Sequence, residues 1–221
     1  DEWNDHQLFD AFTLPNLKNR GKVLDNFLQE RQFNYDSEFV EQCPDDISLF
    51  GYFQTERYFT NITDSIKEDF TFKKDVIANC EEVLEELSEP IALHVRRTDY
   101  VEKSQDHPPC SLKYYHNALK RFNEKRPVII FTDDTKWCKE QDIFKPDRFL
   151  VSETDNNVYD LCMMTMCTDY IIANSSFSWW GAWLSQNPDP EVIAPKTWFG
   201  STGYTAKNNT ADIVPKRWTQ I

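Results

Sequence analysis

Glycine is scarce in this sequence: five residues among 221, namely Gly21, Gly51, Gly181, Gly200 and Gly203. No two of them are placed to form a glycine-rich loop, which excludes the common phosphate cradle built from closely spaced residues without a Cβ. Basic residues are also in deficit. The 24 Lys and Arg stand against 37 Asp and Glu, a net charge of −13, and a field of that sign excludes a protein that wraps nucleic acid or lies on an anionic membrane. The deficit is uneven: 15 acids and 6 bases in residues 1–70, then 22 acids and 18 bases in 71–221. An anionic small molecule is therefore compatible with the second part, where bases can converge. No apolar run approaches the roughly 20 residues that cross a bilayer, and no basic-then-apolar leader opens the chain. The six cysteines form no CxxC pair and no metal-ligand spacing with His. At this length they read as thiols of a reducing compartment, so a cytoplasmic location is expected, while the formal glycosylation sequons Asn61-Ile-Thr63 and Asn208-Asn-Thr210 leave secretion open.

What is present argues for a packed α/β protein. Hydrophobic residues make up 40% of the chain and aromatics 14%, with seven Trp, and this excludes disorder. The first 50 residues are polar and weakly periodic, with a helix expected around Asn26 to Arg31 and a turn at Cys43-Pro44-Asp45. Residues 51–59, GYFQTERYF, are dense in aromatics and read as a plug between two lobes. From Lys73 the rhythm changes: Val76, Ile77, Cys80, Val83, Leu84 and Leu87 fall at helical spacing and Pro90 ends that helix. Then five short apolar runs alternate with helical segments. Strands are expected at 91–95, 128–131, 148–151, 170–173 and 192–194, with helices at 112–123, 135–140, 158–167 and 177–186. This alternation implies a parallel sheet covered on both faces, and in such sheets ligands bind beyond the carboxyl ends of the strands.

The residues after each strand are therefore the candidates. After the first come His94-Val-Arg-Arg-Thr-Asp-Tyr100. Two adjacent guanidiniums are costly unless an anion meets them, and the Arg fork matches phosphate oxygens two bonds at a time. The ordinary alternative is a salt bridge to Asp99 that closes the loop. After the second strand, Asp133 and Asp134 suit either a Mg²⁺ site or the cap of the next helix, and capping is the simpler reading. After the fourth, Asn174-Ser-Ser-Phe-Ser178 opens a helix with a cluster of hydroxyls, a suitable place for a pyrophosphate. Trp179, Trp180 and Trp183 read as core rather than as a sugar platform.

HVRRTDY (94–100), FTDD (131–134), NSSFSWWGAWL (174–184) and IAPKTWF (193–199), together with 51–59, resemble the α-1,2-fucosyltransferase family, glycosyltransferase family 11. The likeness covers about residues 45–200 in order. It implies a GT-B-like α/β enzyme with a Rossmann-type donor lobe at 73–221, preceded at 1–72 by a remnant of the acceptor-side lobe and an aromatic linker. The family's glycine-rich N-terminal loop has no counterpart here, and the chain opens on Asp1, so a trimmed or shortened form with an incomplete N-terminal lobe is expected. The resemblance further implies GDP-β-L-fucose as donor, a glycan galactose 2-hydroxyl as acceptor, inversion, and no metal cofactor. Arg96 and Arg97 would hold the diphosphate and stabilise leaving GDP. Arg97 and Asp99 become the catalytic candidates, while His94, Asp133, Asp169, Asn174, Ser175, Ser176, Phe177 and Ser178 join the arginines as donor-binding candidates. The rival expectations are a GDP-sugar-binding protein without turnover, a truncated inactive transferase, and a carbohydrate-binding module that uses the aromatics.

Overall fold

The computed structural model describes residues 6–17 and 24–221. The described elements run α1 (His6–Ala11), β1 (Phe27–Gln29), α2 (Ser37–Glu41), β2 (Ser48–Phe50), α3 (Thr63–Asp69), α4 (Lys74–Leu84), β3 (Ile91–Val95), α5 (Thr98–Glu102) and α6 (Leu112–Leu119). They continue with β4 (Val128–Thr132), α7 (Thr135–Glu140), β5 (Phe149–Val151), α8 (Asn157–Met166), β6 (Asp169–Ile171), α9 (Ser176–Trp183), β7 (Val192–Ala194) and β8 (Thr219–Gln220). Six strands form one parallel sheet in the order β5-β4-β3-β6-β7-β8. Counted from β3, this is the 3-2-1-4-5-6 order of a Rossmann-type sheet, in which the winding reverses between β3 and β6.

The sheet is buried on both faces because its strands are continuous apolar runs, and their alternation sorts the residues. Ile91, Leu93, Val95, Val128, Ile130, Ile171 and Ile193 pack on one side with Tyr114, Tyr115, Ala118 and Leu119 of α6. Ala92, Ile129, Phe131, Tyr170, Ile172, Val192 and Ala194 pack on the other with Val76 and Cys80 of α4, Cys162, Met163 and Met164 of α8, and Trp179, Ala182 and Trp183 of α9. Each fully buried aliphatic side chain contributes about 1.5–3 kcal/mol. The Trp reading holds for Trp179 and Trp183, which are 6% and 4% exposed. Gly181 permits the tight α8–α9 crossing, since a Cβ there would clash with the Met164 thioether.

Two elements differ from the sequence expectation. The helix expected at Asn26 to Arg31 is instead β1, paired in parallel with β2 in register Phe27↔Ser48. Pairing with a segment some 20 residues away overrides the local pattern. A sixth strand, β8, extends the sheet beside β7; two residues with no apolar run carry no periodic signal. Residues 30–58 are then tied to the far part of the chain. Asp212 accepts from the Tyr35 N–H at 3.1 Å and pairs with Arg57 at 2.9 Å. Glu56 accepts from Trp183 Nε1 at 2.9 Å and pairs with Arg217 at 2.6 Å, while Asn209 N–H donates to Gln32 at 3.0 Å. No helix among the described residues is long and apolar enough to cross a membrane.

Candidate functional site

The winding reversal brings the segments after β3 and β6 side by side. Within β3, Leu93 and Val95 face α6, so alternation turns Ala92 and His94 toward α9. His94 is 5% exposed; its Nδ1 lies 2.9 Å from Ser178 Oγ and its ring 5.5 Å from that of Phe177. Burial lowers its pKa to about 4, with Asp133 opposing the shift and Arg96 adding to it. The imidazole is therefore neutral at pH 7, with one ring nitrogen carrying a proton and the other a lone pair.

Beyond Val95 the strand ends and α5 begins at Thr98. The two arginines diverge there. Arg96 Nη2 lies 2.7 Å from Asp99 and Nη1 lies 3.3 Å from Asp133, and its guanidinium sits over the Tyr100 ring at 5.5 Å. Arg97 Nε lies 3.3 Å from Asp134, with its guanidinium 3.9 Å from the Trp137 ring centroid. The bridge to Asp99 is thus made by Arg96, while Arg97 turns to Asp134. The anion demanded by the guanidinium pair is supplied inside the protein, by three aspartates against two arginines.

Both aspartates after β4 act as caps. Asp133 accepts the backbone N–H of Arg97 at 2.8 Å and of Thr98 at 3.1 Å, together with the Thr98 hydroxyl. Asp134 accepts the Trp137 N–H at 3.0 Å and so caps α7. Among the described residues no group of three or more His, Cys, Asp or Glu is placed to hold a metal ion.

The start of α9 completes this end of the sheet. Ser175 is extended, at φ −136°, and its side chain makes no capping bond. Trp179 N–H donates to Ser175 O at 3.0 Å, so by helix geometry the N–H groups of Ser176, Phe177 and Ser178 have no intrahelical acceptor. Ser176 is exposed, Phe177 half-buried and Ser178 fully buried. Asn174 is spent on the scaffold. Its Nδ2 donates to Pro108 O at 3.1 Å and Trp198 O at 2.9 Å, and its own carbonyl accepts from Tyr100 Oη at 3.0 Å.

Asp169 is not brought to this site. It opens β6 opposite Ile91, the first residue of β3, and thus lies at the amino end of the sheet. There it pairs with Arg126 at 2.6 Å and accepts the Glu191 N–H at 2.7 Å. A strand starting at Tyr170 already put Asp169 at the wrong end for a ligand; only the family resemblance placed it in the site.

The residues that sequence reasoning passed over are Tyr100 and Trp137, whose rings carry the two guanidiniums, and the wall of a cavity beside Ser176. That cavity, of about 80 Å³, lies between residues 52–59 and α9. The aromatic density of 51–59 is the signal in the sequence that marks this wall, and by itself it reads as a plug between two lobes.

The sequence model of glycosyl transferase family 11 matches residues 16–221. The chain is 30% identical over 214 residues to the O-antigen biosynthesis glycosyltransferase WbnK of Escherichia coli, covering 89% of this chain and 68% of that protein. It is 31% identical over 186 residues to an alpha-1,2-colitosyltransferase of Escherichia coli, covering 79% and 62%. With galactoside alpha-(1,2)-fucosyltransferase 1 of Bos taurus it shares 24% over 157 residues, 63% of this chain and 44% of the relative. The chain thus spans about two thirds or less of the length of these relatives.

Proposed function

Since this chain belongs to glycosyl transferase family 11, we propose that it forms the donor-binding part of an inverting transferase. The transferase would move L-fucose, or a closely related deoxy sugar, from a GDP-linked donor to the 2-hydroxyl of a glycan galactose. One observation carries this reading: an arginine pair and an uncapped helix start meet where the sheet's winding reverses. In the reaction the acceptor oxygen attacks the anomeric carbon, the bond from that carbon to the phosphate oxygen breaks, and GDP leaves with the electron pair. Arg96, Arg97 and the first N–H groups of α9 would stabilise the charge growing on the diphosphate, and removing one such donor typically costs about 10²–10³ in rate. Asp99, half-exposed beside Arg96, is the candidate to receive the acceptor's proton. His94 acts through Ser178 to fix α9 against β3 and is a positioning residue. Guanidinium charge supplies what a divalent ion supplies elsewhere, so no metal enters the proposal.

The test is thermal protection. GDP at about 100 times its Kd should raise stability by about 2.7 kcal/mol, GMP should do much less, and the GDP effect should survive excess chelator. Equal protection by GDP and GMP would remove the diphosphate assignment, and loss of protection in chelator would make the aspartates metal ligands. The Arg96–Asp99 pair favours a second reading, GDP-sugar binding without transfer, because Asp99 is engaged rather than open to an acceptor hydroxyl. Retained GDP binding with no turnover on a galactoside would select it.

A further inference from the structure

The amino end of the sheet, opposite the donor site, carries two grooves. One opens on the α6 side, before β4 and β5. Leu119, Phe122, Ile143 and Phe149 give it an apolar lining, and Lys120, Lys125 and Arg148 give it charge. The other opens on the α4 side, before β3. Its apolar lining is Leu84, Leu87, Pro90 and Met166, and its charge comes from Glu81, Glu82 and Glu85. The two adjoin at the edge of the sheet, where Arg126 Nε donates to Glu89 O at 2.9 Å and Nη1 pairs with Asp169 at 2.6 Å.

Charge is sorted between these grooves. Glu81 and Glu82 sit in the last turn of α4 and Glu85 just beyond it, with no base in that turn. This is the helix end where the dipole disfavours negative charge, and none of the three has an ion-pair partner among the described residues. On the other side Lys120 and Lys125 lack one too. Arg148 donates to the carbonyls of Asn123 at 3.2 Å and Arg126 at 3.4 Å, not to a carboxylate, and Asp142 is taken by Lys145. The carboxylates that would answer these bases lie across the edge of the sheet, on its opposite face. A second copy brings them together where one chain cannot.

We propose that the amino end of the sheet is the interface of a twofold dimer of this chain, each acidic groove seated on its partner's basic one. Such a contact is isologous and closes on itself. The apolar linings supply the buried area, since exposed ion pairs alone contribute little, and the sorted charges set the register and exclude other pairings. Both donor sites then face outward, at the far ends of the strands.

Sedimentation velocity on the full chain should show a dimer at low salt that shifts toward monomer at about 1 M salt, where charges are screened within ~3 Å. Glu82→Lys combined with Glu85→Lys, and separately Lys120→Glu combined with Lys125→Glu, should each raise the dissociation constant about tenfold or more. Mixed in equal amounts, the two variants should dimerise again, because each meets the opposite charge in both grooves. All four positions are exposed, and the α4 reversal puts cations at the helix end that favours them. Its melting temperature should therefore hold or rise, so that its monomer is a folded one. A dimer indifferent to salt and to both reversals, or no restoration on mixing, overturns the interface. A chain that stays monomeric overturns it too. If that monomer takes up oligolysine, and the α4 reversal abolishes the uptake, the acidic groove belongs to a basic partner instead.

Discussion

Arg96→Ala is expected to weaken GDP binding by about 1.5–3 kcal/mol, the scale of a hydrogen bond to a charged group, or roughly 10- to 150-fold. Of the two arginines, Arg96 carries the larger expectation. Its side chain is 36% exposed against 21% for Arg97, and its partners Asp99 and Asp133 hold it at the carboxyl end of β3. Arg97 packs over the Trp137 ring, so Arg97→Ala loses packing as well as charge and should lower the melting temperature along with affinity. A ligand diphosphate must compete with Asp99 for Arg96. Asp99→Asn removes that competitor, so GDP affinity should hold or rise while transfer to a galactoside falls. Isothermal titration on the three variants decides the matter; unchanged GDP affinity in both arginine variants would move the site elsewhere.

The second large effect is a loss of stability in mild acid. His94 has an ordinary unfolded pKa of about 6.5 and a folded one lowered to about 4 by burial. Between those values the unfolded chain binds the extra proton and the folded chain does not, so its contribution is full above pH 6.5 and declines as the pH falls toward 4. Over the whole window the loss amounts to about 3 kcal/mol. Urea unfolding at pH 7, 5.5 and 4.5 should show the decline, and His94→Gln, which cannot charge, should flatten it. The flattening is the readout: a variant that is merely less stable, with the same slope against pH, would contradict this account. Asp133 and Arg96 bear on His94 in opposite directions, so Asp133→Asn should steepen the decline.

The parts of the fold legible in the sequence are those set by local pattern. Ile91–Val95 and Val128–Phe131 could be read as buried strands because both faces are covered and every position but His94 is apolar. The amphipathic spacing from Val76 to Leu84 likewise reads as one helix face. Phe27–Gln29 could not be read, since it is a strand only by virtue of Ser48–Phe50. At the site, residue types were legible and partners were not. The arginine pair, the aspartates and the serine cluster stand at the strand ends that the ligand rule selects. Which arginine meets Asp99, however, depends on where α5 begins, a boundary set by Asp133 reaching across from β4. Asp169 shows the converse: topology alone would have left it out.

The stitches from residues 209–217 back to 32–57 have a consequence for the order in which the chain becomes native. Gln32, Tyr35, Glu56 and Arg57 each wait for a partner about 155–177 positions downstream. During synthesis residues 32–57 leave the ribosome before these partners exist, so the contacts across them close only after the strand pair β7–β8 has been made. Such distant closures slow folding and lengthen the exposure of unpaired apolar strands, here Phe27, Leu49 and Phe50, all more than half exposed even in the finished protein.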